Sequence, residues 1–198
     1  MVTYSYLTQR NFQENKEAWI SFKKIPLLRY IDFCLPKFLR PVFVGFYNAR
    51  FRKEFPVAKN GRYYQDEHSD DHQVRQPATN AFGGNIYLLV SPAVASAGSL
   101  FAAMVAGNEN TTTIGEETMG GYYGHNGHTS LAYKLPKSKM KISFSVVNLE
   151  QDVPAKANQS YNRGIIPDIT VSQTYHDFLA HRDTQLEYTL SLIRGKKE

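Results

Sequence analysis

The chain has 198 residues, 42% of them hydrophobic, and a net charge of +5 from 23 Lys and Arg against 18 Asp and Glu. That length suits a single globular domain with a real core, and the lone Cys34 excludes an internal disulfide framework while leaving the compartment open. The most apolar window, residues 25–46, is broken by Arg29, Asp32, Pro36, Lys37, Arg40 and Pro41, which excludes a membrane span, and no export-signal pattern follows Met1.

The charge is uneven. Residues 1–60 carry 11 Lys and Arg against 4 Asp and Glu, net +7, and the remainder is net −2. A basic, aromatic first third can meet nucleic acid or a lipid surface. A solvated basic face over an aromatic core is the plainer reading, and without a recognisable nucleic-acid module no nucleic-acid partner is expected. Residues 1–24 place Phe12, Trp19 and Phe22 at helical spacing, and Pro26, Pro36 and Pro41 cut the next stretch into short pieces. Residues 1–81 are therefore read as a helical, irregular, aromatic-rich N-terminal part, whose rings either fill the core or wall a peptide cleft. Residues 60–80 open on Asn60-Gly61 and hold almost no aliphatic residue, which predicts an exposed loop.

Residues 82–198 are expected to form the main βαβ part of the same domain. Ile86 to Val90 is a continuous apolar run, as in a strand buried on both faces, and Ser99 to Ala106 is a helix of small and medium apolar residues. Thr111 to Gly115 follows as a second β-type run, so strand, helix and strand form a βαβ unit with a parallel sheet. Residues 130–135 and 141–149 alternate around PKSK as an antiparallel hairpin. Residues 164–171, GIIPDITV, read as an edge segment because Pro167 cannot sit in a central strand. A last helix starts at the N-cap Asp183, with Leu186, Leu190 and Ile193 on one stripe.

The junction between the first strand and helix, AVASAG, is built of small residues. A serine there faces the unpaired N–H groups and the positive end of the helix dipole, which favour an ionised hydroxyl and stabilise an oxyanion. Slim neighbours leave room for a substrate carbonyl. The alternative is that Ser96 or Ser99 caps the helix and small residues permit close packing. Nineteen residues after Ser96 comes IGEETMGGYYGHNGH, a strand end followed by a carboxylate, a threonine, paired glycines and two histidines.

Three elements in order, ASAGSLFA, GEETMG and GIIPDI, make residues 82–171 resemble the family of C-terminal processing, or tail-specific, proteases, together with its tricorn core protease and interphotoreceptor retinoid-binding relatives. The resemblance implies an α/β fold of the crotonase/ClpP-like kind, a twisted sheet with flanking helices. It implies Ser96 as nucleophile and the Ala97 N–H as part of the oxyanion hole. Thr118, Gly120, Gly121 and Tyr122 are expected to line the substrate site, and the substrate to be a peptide or protein. No cofactor and no metal are expected. The resemblance also points to an extracytoplasmic compartment.

The chain departs from the pattern at three places. Gly121 stands where the bacterial processing members carry a lysine base, which places the chain nearer the tricorn and retinoid-binding branch than the serine–lysine branch. The acidic residue three after the nucleophile is Ser99. Neither the early histidine nor the Asp-Leu-Arg-x-Asn-x-Gly-Gly stretch of tricorn-type relatives is visible, so the chain is expected to be the C-terminal part of a longer protein, with its base elsewhere. Otherwise His125 or His128 is the base and Glu116 its orienting acid. Of the remaining clusters, HSDDH (68–72) has the i, i+4 histidine spacing of a metal site but no rigid element to hold it, and Glu150 and Asp152 are read as surface charge.

Overall fold

Burial of an apolar strand, a β-branched strand and the helix between them organises one half of the architecture, and an aromatic cluster organises the other. A computed structural model describes residues 2–32 and 37–195; Cys34 and Pro36 lie outside the described residues. In chain order the first elements are α1 (Val2–Ser5), β1 (Asn15–Ile20), α2 (Arg40–Glu54), β2 (Val57–Lys59), β3 (Arg62–Tyr64), β4 (Ile86–Val90), α3 (Ala97–Ala106) and β5 (Thr111–Gly115). After them come β6 (Gly124–His125), β7 (Ser130–Lys134), β8 (Lys141–Ser145), β9 (Asn148–Gln151), β10 (Ile169–Thr170), α4 (Tyr175–Leu179) and α5 (Thr184–Ile193). The chain divides into two compact units, each discontinuous in sequence: residues 1–13, 74–123 and 151–198 form one, residues 14–73 and 124–150 the other. The division does not fall at residue 81.

In the first unit β4 and β5 run parallel with Ile86 opposite Thr111 and Val90 opposite Gly115, joined by α3 as expected of a βαβ crossover. β10 pairs parallel with β5, so the three-stranded order is β10-β5-β4 and the GIIPDITV segment lies at an edge. α3 is apolar nearly all round, and Leu100 and Ala102 to Ala106 are all buried. Met104 and Val105 pack with Tyr4 and Phe12, while Ala102, Ala103 and Ala106 pack with Tyr122 and Ile165. Tyr4 anchors α1 there, donating its hydroxyl to the Met104 carbonyl at 3.1 Å.

α5 begins at Asp183, whose carboxylate accepts from the Leu186 N–H, as its N-cap role predicts. The stripe Leu186, Leu190 and Ile193 is, however, exposed, and the buried residue of the helix is Thr189. The reason is local. Gly115 has φ +131 and leaves space in which the Gln185 amide lies, reaching the Val171 carbonyl at 3.1 Å. The helix therefore meets the sheet through Gln185 and Thr189 and turns its leucines outward.

In the second unit the order is β2-β3-β1-β9-β6, with β7 and β8 as a separate antiparallel pair. The core holds Ile20, Ile25, Ile31, Phe51, Phe55, Leu131, Val147 and Leu149. The expected helical spacing of Phe12, Trp19 and Phe22 is not used. Trp19 lies on a strand, paired with Tyr64 and covered by the Arg62 guanidinium at 4.0 Å, because alternating Ala18 and Ile20 can bury themselves against the core. Pro41 opens the 15-residue α2 instead of breaking it, as proline does in a first helical turn. Part of the predicted 60–80 loop is strand: Asn60 and Gly61, both at positive φ, turn β2 into β3. The hairpin at 130–149 forms from Ser130 to Ser145, and residues 148–151 leave it to join the larger sheet as β9. No described helix is long and apolar enough to cross a membrane.

Asp168 ties β10 to β5 by accepting from the Thr113 N–H at 2.8 Å and the Thr113 hydroxyl at 2.7 Å, with Lys156 Nζ at 3.2 Å. Burial alone would raise its carboxyl, but the Thr113 donors and the Lys156 ammonium outweigh burial and hold it below the ordinary carboxylate value. A depressed pKa stabilises the fold above the unfolded value of about 4 and is lost as pH falls through the folded one. Asp168→Asn is therefore expected to flatten the decline of stability below about pH 4 in urea titrations, and Asp168→Ala to cost about 2 kcal/mol at neutral pH, the charged part being discounted for partial exposure.

Candidate functional site

The junction from β4 to α3 turns through Ser91 to Ser96, with the Val94 N–H bonded to the Ser91 carbonyl at 3.0 Å. Ser96 is the N-cap residue of α3 and sits at φ 54, ψ −132, a conformation in which an L residue is strained by about 1–3 kcal/mol. Its hydroxyl makes no capping bond and the residue is exposed. The capping expectation thus fails for Ser96. Ser99 fills the turn from inside instead: it is fully buried, and its hydroxyl donates to the Ser96 carbonyl at 2.7 Å. Ala97, also exposed, is the first helical residue, so its N–H has no acceptor within the helix.

The glycine loop closes over this turn. The Gly120 N–H bonds to the Val94 carbonyl at 3.1 Å, and a Cβ on Gly120 would stand 2.0 Å from Ser99 Oγ and 2.2 Å from Ser99 Cβ. Thr118 is buried and engaged on both sides. Its hydroxyl donates to the Gly120 carbonyl at 2.8 Å and accepts from the Ile165 N–H at 2.8 Å, while its own N–H bonds the Ile165 carbonyl. Gly164 must be glycine for the same reason as Gly120, because a Cβ there would meet the Thr118 carbonyl at 1.8 Å. Glu117 pairs with Arg163 and accepts from the Gly164 N–H at 3.0 Å. The Arg163 bond, opposed by some desolvation, holds the Glu117 carboxyl below its ordinary value.

Not every residue assigned to this site from the sequence faces it. Tyr122 was expected to line the substrate site and is instead a core residue, fully buried against Ala102, Ala103 and Ile165, with its hydroxyl donated to the Pro154 carbonyl at 2.9 Å. Burial keeps that phenol un-ionised far above its usual range. Thr118 is likewise turned into the protein, where it fixes the loop, while Gly120 and Gly121 remain half exposed beside the Ser96 turn. Glu116 accepts from the Ser172 hydroxyl at 3.0 Å.

His125 and His128 belong to the second unit, where their partners are local. Nδ1 of His125 accepts from the Gly127 N–H at 3.2 Å, which assigns the ring proton to Nε2; that nitrogen is buried and has no hydrogen-bond partner among the described residues. Burial, with a smaller contribution from His128, pushes its pKa below the ordinary imidazole value. His128 lies between Thr129 Oγ1 at 2.8 Å and Glu54 Oε1 at 3.1 Å, a carboxylate partner that nothing in the spacing signalled. The Nδ1 lone pair of His125 is thus occupied, and His128 is engaged at both ring nitrogens. In HSDDH the groups serve the turn itself, His72 meeting the Asn15 carbonyl and Asp71 the Gln65 amide, and no group of three or more His, Cys, Asp or Glu among the described residues is placed to hold a metal ion. Asp152 pairs with Arg10 at 2.9 Å and Glu150 with Lys16 at 3.3 Å.

Ser96 is thus a strained, exposed serine at a strand-to-helix turn, with an unpaired helical N–H beside it and a glycine loop packed against the same turn. The model of peptidase family S41 matches residues 43–171, well over half of the chain, and that stretch contains the Ser96 turn, the glycine loop and Asp168. The chain belongs to peptidase family S41. No curated protein matches it. Among solved structures it is similar to a protein of Parabacteroides merdae described as a candidate peptidase, with 23% identity and a TM-score of 0.44 over 61% of this chain and 35% of that one. The chain thus spans well under half the length of that relative.

Two substitutions test the packing of the loop. Gly120→Ala is expected to destabilise the protein by about 1–3 kcal/mol, the usual cost of overpacking, and Ser99→Gly on that background to recover part of it because both clashing atoms are removed. Thr118→Val should cost about 2 kcal/mol by stranding the Ile165 N–H, whereas Thr118→Ser should cost under about 1 kcal/mol, both read from denaturant midpoints.

Proposed function

We propose that this chain is a serine-type peptidase domain that cleaves extended peptide or protein substrates through an acyl-enzyme on Ser96. The observation that carries this reading is the backbone of Ser96, held at φ 54 with its hydroxyl exposed and unused as a cap. The hydroxyl oxygen attacks the scissile carbonyl, a base takes its proton, and the Ala97 N–H donates to the oxyanion. The proton passes to the leaving amine as the C–N bond breaks, and water then releases the acyl group. Gly120, half exposed, adds no side chain beside the turn that carries Ser96, and the edge strand β4 offers a ladder to which an extended substrate can add. The chemistry requires neither metal nor organic cofactor.

The base is assigned to residues beyond the 198 of this chain. Gly121 stands at the position of the family lysine, and the lone pairs of His125 and His128 are engaged by Gly127 and by local partners. With it we propose a tricorn-like arrangement within a longer protein, and an extracytoplasmic compartment on the family resemblance alone. The same occupied lone pairs favour one other reading, a non-catalytic module that binds peptides or apolar ligands.

A fluorophosphonate probe separates the two. In the protein extended to include the base, Ser96 is expected to be the labelled residue by mass spectrometry, labelling to be lost in Ser96→Ala, and to persist in Ser99→Ala. An unlabelled wild type that still binds peptides would establish the binding module and end the peptidase reading.

A further inference from the structure

The second unit carries a cationic cleft that the peptidase reading does not use. It has a volume of about 360 Å³, and its walls include Arg29, Tyr30 and Asp32, Arg40 at the start of α2, Lys134 at the end of β7 and Lys139 in the hairpin turn. Four cations thus meet one carboxylate, and that carboxylate is already taken: Lys141 Nζ, outside the lining, stands 2.6 Å from Asp32 Oδ2. The Lys141 bond, joined by the charges of Lys134 and Arg40, holds the Asp32 carboxyl below its ordinary value against some desolvation, so both cations act on one point. Arg40 Nε is buried and has no hydrogen-bond partner among the described residues. That nitrogen belongs to the edge through which a guanidinium grips an oxyanion with two parallel bonds, and an anion in the cleft would give it an acceptor. Lys139 stands at φ 62, where glycine or asparagine sits without strain, and its ammonium spends one of three donors on the Pro136 carbonyl at 2.6 Å. The Arg29 guanidinium lies over the Tyr30 ring at 4.5 Å, which fixes a third cation and covers the ring.

We propose that this cleft binds a small phosphoryl-bearing anion, held by Arg40, Lys134 and Lys139. Its volume falls among those of small-molecule clefts and exceeds what one carboxylate fills. A phosphoryl group brings three acceptor oxygens and about two negative charges, so it can answer the two-bond edge of Arg40 and an ammonium group together. A lone carboxylate brings two oxygens and half that charge, and leaves most of the cationic excess unanswered. Single-stranded nucleic acid stacks its bases on open aromatic faces, and Tyr30, the aromatic ring of this lining, is covered by Arg29. The inference stands independently of Ser96.

The test is isothermal titration calorimetry of the full chain with inorganic pyrophosphate and with citrate. Pyrophosphate is expected to bind once per chain with a Kd below about 1 mM. Citrate, of similar total charge on more widely spread oxygens, is expected to bind about ten-fold more weakly. Lys139→Asn should weaken pyrophosphate binding about five-fold, the effect of one partly exposed charge pair. Thermal unfolding of that variant should stay level or rise, because asparagine suits the left-handed turn. Arg40→Lys, which keeps the charge and loses the two-bond edge, should weaken binding about ten-fold. Failure of pyrophosphate to saturate in that range, equal binding of citrate, or wild-type binding by both variants overturns the proposal. So does a single-stranded oligonucleotide bound more tightly than pyrophosphate and lost in both variants, which would assign the cleft to nucleic acid.

Discussion

Between Ser99 and Gly120 there is no room for a single methyl group, and the shape of the candidate site follows from that contact. Ser99 is drawn inward because its hydroxyl closes on the Ser96 carbonyl; with Ser99 turned in, Gly120 can settle on the turn and bond the Val94 carbonyl. The strain at Ser96 persists because its surroundings over-determine it. Its carbonyl is held by both Ser99 and the Leu100 N–H, and the preceding carbonyl of Ala95 by the N–H groups of Gly98 and Ser99. Relaxing φ at Ser96 would break several of these bonds at once.

The other two motif elements secure the glycine loop. Thr118 and Ile165 exchange two hydrogen bonds, Glu117 reaches Arg163 and the Gly164 N–H, and Asp168 returns the same segment to β5 through Thr113. The threonine, the glycine and the aspartate of these motifs thus act on one another and position a serine that none of them needs to touch. Each is a buried or half-buried polar group with partners in place, which is the condition for such a network to rigidify a loop instead of weakening it.

How much of this was legible depended on the length scale of the signal. The βαβ unit was readable because an apolar run, Ile86 to Val90, and a β-branched run, Thr111 to Gly115, flank a helix too apolar to lie on a surface. The Asp183 cap was readable because capping is local. Trp19 was misread as helical because its strand is created by pairing with Tyr64, 45 residues away, which periodicity cannot sense. The α5 stripe was misread for a related reason: its leucines satisfy the pattern of a core face, but a positive-φ glycine on a neighbouring strand admits Gln185 instead. Tyr122 was drawn into the site by its place in the loop, although the chain alternates direction there and sends that ring into the alanine-rich side of α3. Gly120 and Thr118 were expected to line a substrate site; the packing role they have in the structure rests on a missing Cβ and a doubly used hydroxyl, which exist only in three dimensions.

The two misread helices also show what an exposed stripe does and does not signify. On α5 the outward leucines accompany a polar attachment to the sheet through Gln185 and Thr189. On α2 the outward Val42 and Phe46 lie across the helix from the buried Phe51, and Arg40, on the Phe51 side at the start of the helix, lines a cleft with other cations. Apolar exposure alone is common on protein surfaces, and the cleft is a separate feature of the start of that helix. The same feature gives the lopsided charge of the first sixty residues, net +7, a location: Arg29 and Arg40 from that third of the chain line one cleft with Lys134 and Lys139 from a hairpin a hundred residues later. A charge excess assembled from distant segments into a single concavity is a property of the fold, which composition along the chain does not show.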